Sequence, residues 1–342
     1  MDPDPLDALR PVSPWSDAWR RLARNRMALA GLVVVGLYTL FCLAAPLLPV
    51  HPYAQQAVAH ENLPPSLRPA GELMLAARAR YLRLVDAAEG RAGYSAEEQA
   101  ELDGMALAIR TDPIHRRHHW LGTDNLGRDM LSRLLYGGRI SILIGLVGTL
   151  TSMLLGIVLG SIAGYAGGVL DSLIMRFVDI LYGLPYMLLV IIMMALFGRS
   201  ILNLFVAVAL VSWLTLCRVV RGQVISLKQA EFVEAARAMG ASPARILFRH
   251  LTPNTLGVIV VFSTLMVPQF IMTESFLSFL GLGVSAPLAS WGSLVAEGAG
   301  VMSLYPWQLL GPAVAMTVFL FAMNFLGDGL RDALDPQGRA RA

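Results

Sequence analysis

The sequence predicts an all-α integral membrane protein with six transmembrane helices, N-in/C-in, and an extracytoplasmic helical-hairpin insert. Three observations carry this reading. Of 342 residues, 56% are hydrophobic and only 15% charged, where a soluble domain has about 25% charged residues. Apolar runs of membrane-crossing length recur along the chain. Arginines cluster beside alternate ends of those runs, matching the cytoplasmic bias of basic residues in short loops. The net charge of +3 is small and gives no reason to expect nucleic acid as a partner. Cys42 and Cys217 lie within or beside apolar runs, so neither a disulfide framework nor a zinc site is expected from them.

Residues 1–26 are polar and carry Arg10, Arg20, Arg21, Arg24 and Arg26. Pro14-Trp15-Ser16 and Ala18-Trp19 suggest a short amphipathic helix among the lipid headgroups. Residues 27–50 hold the first span, Ala28–Leu48, whose arginine-rich start belongs in the cytoplasm. It is long enough to stay as an anchor, and no small-residue cleavage site follows it. Residues 51–138 then lie outside. Within them Leu73–Glu89 is amphipathic, with Leu75, Ala79, Leu82 and Val85 or Asp86 near one face, and Gly90–Tyr94 is a turn. Ser95 with Glu98 forms a capping box that opens a second helix towards Ile109.

Residues 139–328 form the core. Trp120–Arg139 reads as a surface helix with an apolar face of Leu126, Met130, Leu131, Leu134 and Leu135, leading into the second span, Ile140–Tyr165. Gly145, Gly148, Gly156, Gly160 and Gly164 on that span suit close helix packing in lipid. Ala166–Asp171 is a tight turn before the third span, Met175–Phe197, with Pro185 as a kink. Ile201–Leu216, Leu256–Leu280 and Leu309–Leu326 are the fourth to sixth spans, and Gly281–Trp307 is an outer loop. Residues 329–342 form a cytoplasmic tail.

The polar stretch 229–254 lies between the fourth and fifth spans and reads as two short helices at an angle. Glu231–Met239 is rich in helix formers, and Gly240 suits a left-handed helix end. Ser242 can cap the second helix, with Pro243 in its first turn. That helix would reach about His250, and Pro253 would mark the entry to the next span. Ala235 and Ala236 leave little bulk on one face, open to another protein. The bland alternative is an amphipathic loop packed on its own bundle.

Other chemistry is sparse. The only lysine is Lys228, between Leu227 and Gln229, so no phosphate-binding loop exists and ATP must be hydrolysed elsewhere. No serine protease arrangement is present either. His115, His118 and His119 would share one side of a helix and could ligate a metal, but Arg116 and Arg117 beside them oppose a cation, so no metal is expected. Glu274 lies in an apolar run near the outer end of the fifth span, with Ser278 one turn on. A contact on a translocation pathway and a structural anchor are both open for it. Arg176 and Asp179 are three apart and suggest a salt bridge.

Three sets of residues carry a resemblance. Glu234-Ala235-Ala236, Gly240, Ile246 and Pro253 resemble the cytoplasmic coupling loop of ABC importer permeases. Leu121-Gly122-Thr123-Asp124, Gly127-Arg128-Asp129, Ser132-Arg133 and Gly138-Arg139 resemble the C-type permease of the dipeptide, oligopeptide and nickel importers. So do Glu274, Leu277–Gly283, Trp291-Gly292 and Gly327–Pro336. The departures are a longer outer loop over Ser66–His119, and Leu251-Thr252-Pro253 where Leu-Pro is usual. The resemblance implies the type I ABC importer permease fold in a bacterial inner membrane. It implies a second homologous permease, two ATP-binding cassette subunits that bind the ATP, and an extracytoplasmic substrate-binding protein. It also implies that Glu234, Ala235, Ala236, Gly240, Ser242, Pro243 and Arg245 meet the ATPase. A stand-alone secondary transporter or channel would need ionisable groups at mid-membrane, and the spans are nearly devoid of them. A membrane scaffold has only the hairpin in its favour.

Overall fold

The computed structural model describes residues 14–91, 93–198 and 200–334; Arg10 and the tail beyond 334 lie outside them. The described residues form helices, with no β-strand among them beyond two isolated bridges. In order the helices are α1 (Pro14–Arg24), α2 (Arg26–Ala44), α3 (Ala70–Ala88), α4 (Ala96–Thr111), α5 (Met130–Ala166), α6 (Gly168–Tyr182) and α7 (Tyr186–Phe197). Then come α8 (Ile201–Leu227), α9 (Glu231–Ala238), α10 (Pro243–Arg245), α11 (Thr252–Phe279), α12 (Trp291–Val301) and α13 (Trp307–Leu334). Among the described residues, five helices are long and apolar enough to cross a membrane, or six if the bent pair α6 and α7 counts as one span. The chain divides into two compact units. One comprises Met1–Leu40, Ser141–Ser285 and Met316–Ala342, and the other Phe41–Ile140 and Ala286–Ala315.

In the first unit, α1 and α2 are separated at Asn25, whose Oδ1 accepts from the backbone N–H of Met27 and Ala28 at 3.1 and 3.2 Å and so starts α2. Ala18 and Leu22 of α1 pack with Ala28 and Ala333, while Trp19 is exposed. The glycines of α5 divide between two neighbours. Gly145 and Gly148 lie against Val267 and Phe270 of α11, whereas Gly156, Gly160 and Gly164 lie against Leu216, Cys217, Val220 and Val224 of α8. A Cβ on Gly160 would stand 2.5 Å from the Cys217 carbonyl oxygen, so the two backbones are as close as glycine allows.

The third span differs from the kinked helix expected over Met175–Phe197. Helix α6 starts at Gly168, so the expected turn at Ala166–Asp171 shrinks to Gly167 and Gly168, both at positive φ. The chain then breaks at Gly183-Leu184-Pro185, and α7 leaves at 77° to α6. Pro185 has no N–H to continue the helix and disfavours helical backbone at Leu184, so a bend becomes a break. Asp179 does not pair with Arg176 as expected; its carboxylate accepts from Arg218 Nη2 of α8 at 2.7 Å. One turn further along α8, Arg221 grips Asp171 with two bonds of 2.6 Å. Pairing across helices is reached because Asp171 and Asp179 face α8 rather than their own helix.

In the second unit, α3 and α4 lie side by side. The Ser95–Glu98 capping box forms, with bonds of 2.7 and 3.2 Å. Leu82 and Leu102 are buried, Gly71 touches Ile109, and Arg78 holds Glu101 with two bonds of 2.8 Å. Ahead of α5 stands a polar knot. Asp124 accepts from the backbone N–H of Leu126 and Arg128, from Arg128 Nε at 2.6 Å, and from Arg133 Nη1 at 2.8 Å. Arg133, 1% exposed, also reaches Glu297 of α12 at 2.8 and 3.2 Å. The buried side of this segment is therefore its polar one. Of the expected apolar face only Met130 is buried, while Leu126, Leu131, Leu134 and Leu135 are half-buried. Helix α12 also interrupts what reads as a plain loop over Gly281–Trp307; its signal is a Ser290–Ser293 capping box.

Two variants and a control test this packing. Gly160→Val should destabilise the protein by about 1–3 kcal/mol through overpacking, read as a lower thermal midpoint in detergent. Gly222→Ala, whose added Cβ meets nothing within 4 Å, is the control and should not lower the midpoint, since alanine favours a helix interior over glycine. Arg133→Met leaves buried Asp124 with Arg128 as its remaining cationic partner and should cost about 1–3 kcal/mol. A loss below about 1 kcal/mol would mean that the knot is not a stability element.

Candidate functional site

The stretch 229–254 folds into a compact bracket, all within the first unit. Helix α9 is closed by a Schellman arrangement. The N–H of Ala241 donates to Ala236 O and that of Gly240 to Arg237 O, both at 3.0 Å, with Gly240 at φ +78°. A Cβ on Gly240 would meet nothing within 4 Å. Glycine is thus needed for its backbone angle alone. Ser242 accepts from Arg245 N at 3.4 Å and Pro243 occupies the first turn, so the second limb starts where the residues place it.

That limb does not end at His250. After α10, Ile246–Leu251 forms a π-helical turn that passes directly into α11, making one helix from Pro243 to Phe279. Pro253 lacks the N–H that an α-helix would direct to Arg249. The wider turn absorbs this: the N–H of Thr252 reaches Leu247 O five residues back. Thr252 Oγ1 also donates to Leu247 O at 2.9 Å, and Asn254 Nδ2 to His250 O at 2.6 Å. The proline is therefore carried inside a continuous rod rather than marking a joint.

The bracket's inner face is apolar. Val233 and Ala236 from α9, and Ile246, Leu247 and Leu251 from the second limb, pack with Leu216, Val220 and Val224 of α8 and Ile259 of α11. Ala236, 2% exposed, points into this core, so only Ala235 of the expected pair lies on the open face. The i, i+3 spacing of Val233 and Ala236 turns both inward. Glu234, Ala235, Gly240, Ser242, Pro243 and Arg245 are exposed. Three exposed apolar side chains went unread in the sequence: Phe232, Met239 (81% exposed) and Phe248. They fall off the inward stripe, which is the signal that finds them.

A cavity of ≈ 610 Å³ lies among α6, α7, α8 and α11, with Pro185, Tyr186, Thr215, Gln269 and Thr273 in its wall. Leu184, Pro185 and Tyr186 at the break line it. Glu274 and Ser278 do not line it. Glu274 is fully buried and accepts from Ser278 Oγ at 2.6 Å. Ser278 in turn lies under the turn at Gly283, where any Cβ would collide with it.

The histidines form a second cluster, inside the second unit. His115, His118 and His119 do not share a side. After the 3₁₀ turn Pro113–Arg116 the backbone is extended at Arg117, so His118 turns away to Leu67 O at 2.8 Å. His60 and His51, from before the hairpin, join the others instead. His115 Nδ1 lies 2.9 Å from His60 Nε2, His60 Nδ1 3.3 Å from His119 Nε2, and His119 Nδ1 2.8 Å from Asp129 Oδ1. His51 approaches with its ring centroid 5.3 Å from that of His119. Burial, then His119, His115 and Arg117, push the His60 imidazole down to about 4, and burial also lowers His51. Burial alone would raise Asp129, but hydrogen bonds from His119 and Ser132 outweigh it and hold the carboxyl below its usual range.

Comparison with known proteins agrees with this architecture. Residues 156–339 match the family model described as "Binding-protein-dependent transport system inner membrane component", and residues 13–65 match the "N-terminal TM domain of oligopeptide transport permease C". The chain is 39% identical over 329 residues to the dipeptide transport system permease protein DppC of Bacillus subtilis, covering 96% of this chain and 87% of that protein. It is 39% identical over 327 residues to the oligopeptide transport system permease protein OppC of Haemophilus influenzae, covering 96% and 90%. It is 41% identical over 327 residues to OppC of Escherichia coli, covering 96% and 92%. With the apolar helices and the bracket between α8 and α11 in place, the chain belongs to the binding-protein-dependent transport system inner membrane components, and is a multi-pass bacterial inner-membrane permease.

Proposed function

We propose that this chain is one of two homologous permease subunits in an ATP-driven importer of di- or oligopeptides. The names of its relatives support the substrate class. Two ATP-binding cassette subunits supply the ATP site, since Lys228 stands outside any phosphate-binding motif. An external substrate-binding protein delivers the peptide. The bent pair α6 and α7 counts as the third of six spans, with both chain ends and the bracket in the cytoplasm and α3 and α4 outside.

The observation that supports this reading most is the fusion of the bracket to its spans. Its inner face is one core with α8 and α11, and its second limb is the same rod as α11. A displacement of the bracket therefore moves both spans instead of being lost in a flexible loop. Phe232, Glu234, Ala235, Met239, Arg245 and Phe248 present apolar and charged groups to the ATPase groove. The cavity beside the Pro185 break lies along the spans that the bracket moves, and its wall is apolar with neutral hydrogen-bonding groups. That composition suits a peptide of varied side chains better than a fixed charge would. Glu274 acts as an anchor for the outer end of α11 through Ser278 and the Gly283 turn.

Two experiments test this. In the reconstituted complex, Gly240→Val strains the left-handed position by about 1–2 kcal/mol and Glu234→Lys reverses an exposed charge. Both should assemble normally and lose the stimulation of ATP hydrolysis by loaded binding protein, leaving the basal rate. Full stimulation in Gly240→Val would remove the bracket as the coupling element. Cysteines placed at Ser95 and Ser242 should label from opposite sides of the membrane; labelling from one side would overturn the six-span topology.

A further inference from the structure

Five of the six histidines in the sequence, His51, His60, His115, His118 and His119, belong to the second unit. Four of these converge, and they come from three separate stretches of chain. One nitrogen each from His51 and His119 and one oxygen from Asp129 lie within 4.8 Å of one another. We propose that His51, His119 and Asp129 form a binding site for a divalent ion of borderline softness, with zinc as its representative, and that His60 and His115 are its outer partners.

The donor set decides the class of ion. Two imidazoles and one carboxylate suit zinc and its late first-row neighbours, while calcium and magnesium take all-oxygen shells. Donor atoms around a tetrahedral zinc ion stand roughly 3.4 Å apart. The three donors lie within 4.8 Å of one another, and side-chain rotation must bring them to that spacing.

The surroundings hold the donors as a metal site requires. Asp129 Oδ2 is occupied by the Ser132 N–H and Oγ, both at 2.8 Å, which leaves Oδ1 directed at His119. His119 Nδ1 is the nitrogen beside Asp129, and with the ion there Nε2 keeps His60 Nδ1 as its partner at 3.3 Å. His60 is itself held by His115. Such outer hydrogen bonds fix ring orientation and tautomer in metal sites. His119 and Asp129 are buried and His51 is half-buried. His51 and Asp129 also line a separate cavity of ≈ 370 Å³ that gives an entry path. Arg116 and Arg117 stand in the wall of that cavity and oppose a cation. The charge of Asp129 and the lone pairs of the two imidazoles must outweigh them, and this makes affinity the quantity to measure.

The test is zinc titration by calorimetry of the full chain, purified in detergent with a tag free of histidine and stripped with chelator. The expected result is one zinc ion per chain with a dissociation constant in the micromolar range or tighter. His51→Ala, at a half-buried position, and Asp129→Asn should each weaken binding tenfold or more, and His250→Ala, in the other unit, should leave it unchanged. X-ray absorption of the loaded protein should show imidazole nitrogen at about 2.0–2.1 Å. Absence of saturable binding, or wild-type binding by a folded His51→Ala protein, would show that the cluster is a hydrogen-bonded structural pair and overturn the site.

Discussion

The apolar contact between the bracket and its two spans is the constraint on which the rest of this structure depends. Val233 and Ala236 of α9 and Ile246, Leu247 and Leu251 of the second limb are buried against Leu216, Val220, Val224 and Ile259. Each such side chain contributes about 1.5–3 kcal/mol when fully buried, less for alanine. The bracket is thus a solid extension of α8 and α11. Its open face is left free for other contacts, with Phe232, Met239 and Phe248 as its apolar content.

Close backbone approach and charge pairs complete the frame. In the first unit, Gly156, Gly160 and Gly164 bring α5 onto α8, while Arg221 and Asp171 join α8 to α6. Helix α8 therefore carries contacts to α5, α6, α11 and the bracket at once. In the second unit, Arg133, Asp124, Arg128 and Glu297 are tied together by charge-assisted bonds. These bonds specify geometry more than they add net stability, because desolvation offsets much of their Coulomb energy.

Local grammar was legible in the sequence wherever a signal acts over a few residues. The left-handed Gly240, the Ser242 cap and the Ser95–Glu98 box all stand where their residue types place them. What stayed hidden depends on partners far along the chain. The turn of Ala236 into a core shared with α8 and α11 follows from contacts that the short motif does not contain. The choice of Arg218 over Arg176 by Asp179 depends on how α6 lies on α8. The rod through Pro253 needed a π turn, which no propensity scale announces. The histidine cluster is the strongest case: His115 and His119 were visible as neighbours, but His51 and His60 join them only through tertiary folding.

Photo-crosslinking from the open face of the bracket tests the central claim most directly. A photoreactive residue at Ala235 in the assembled complex should yield an adduct with the ATP-binding subunit. The same group at Leu107, exposed on α4, should yield none with that subunit. Adducts from Ala235 confined to this chain's own helices, or an ATP-binding subunit captured from Leu107 instead, would contradict the account.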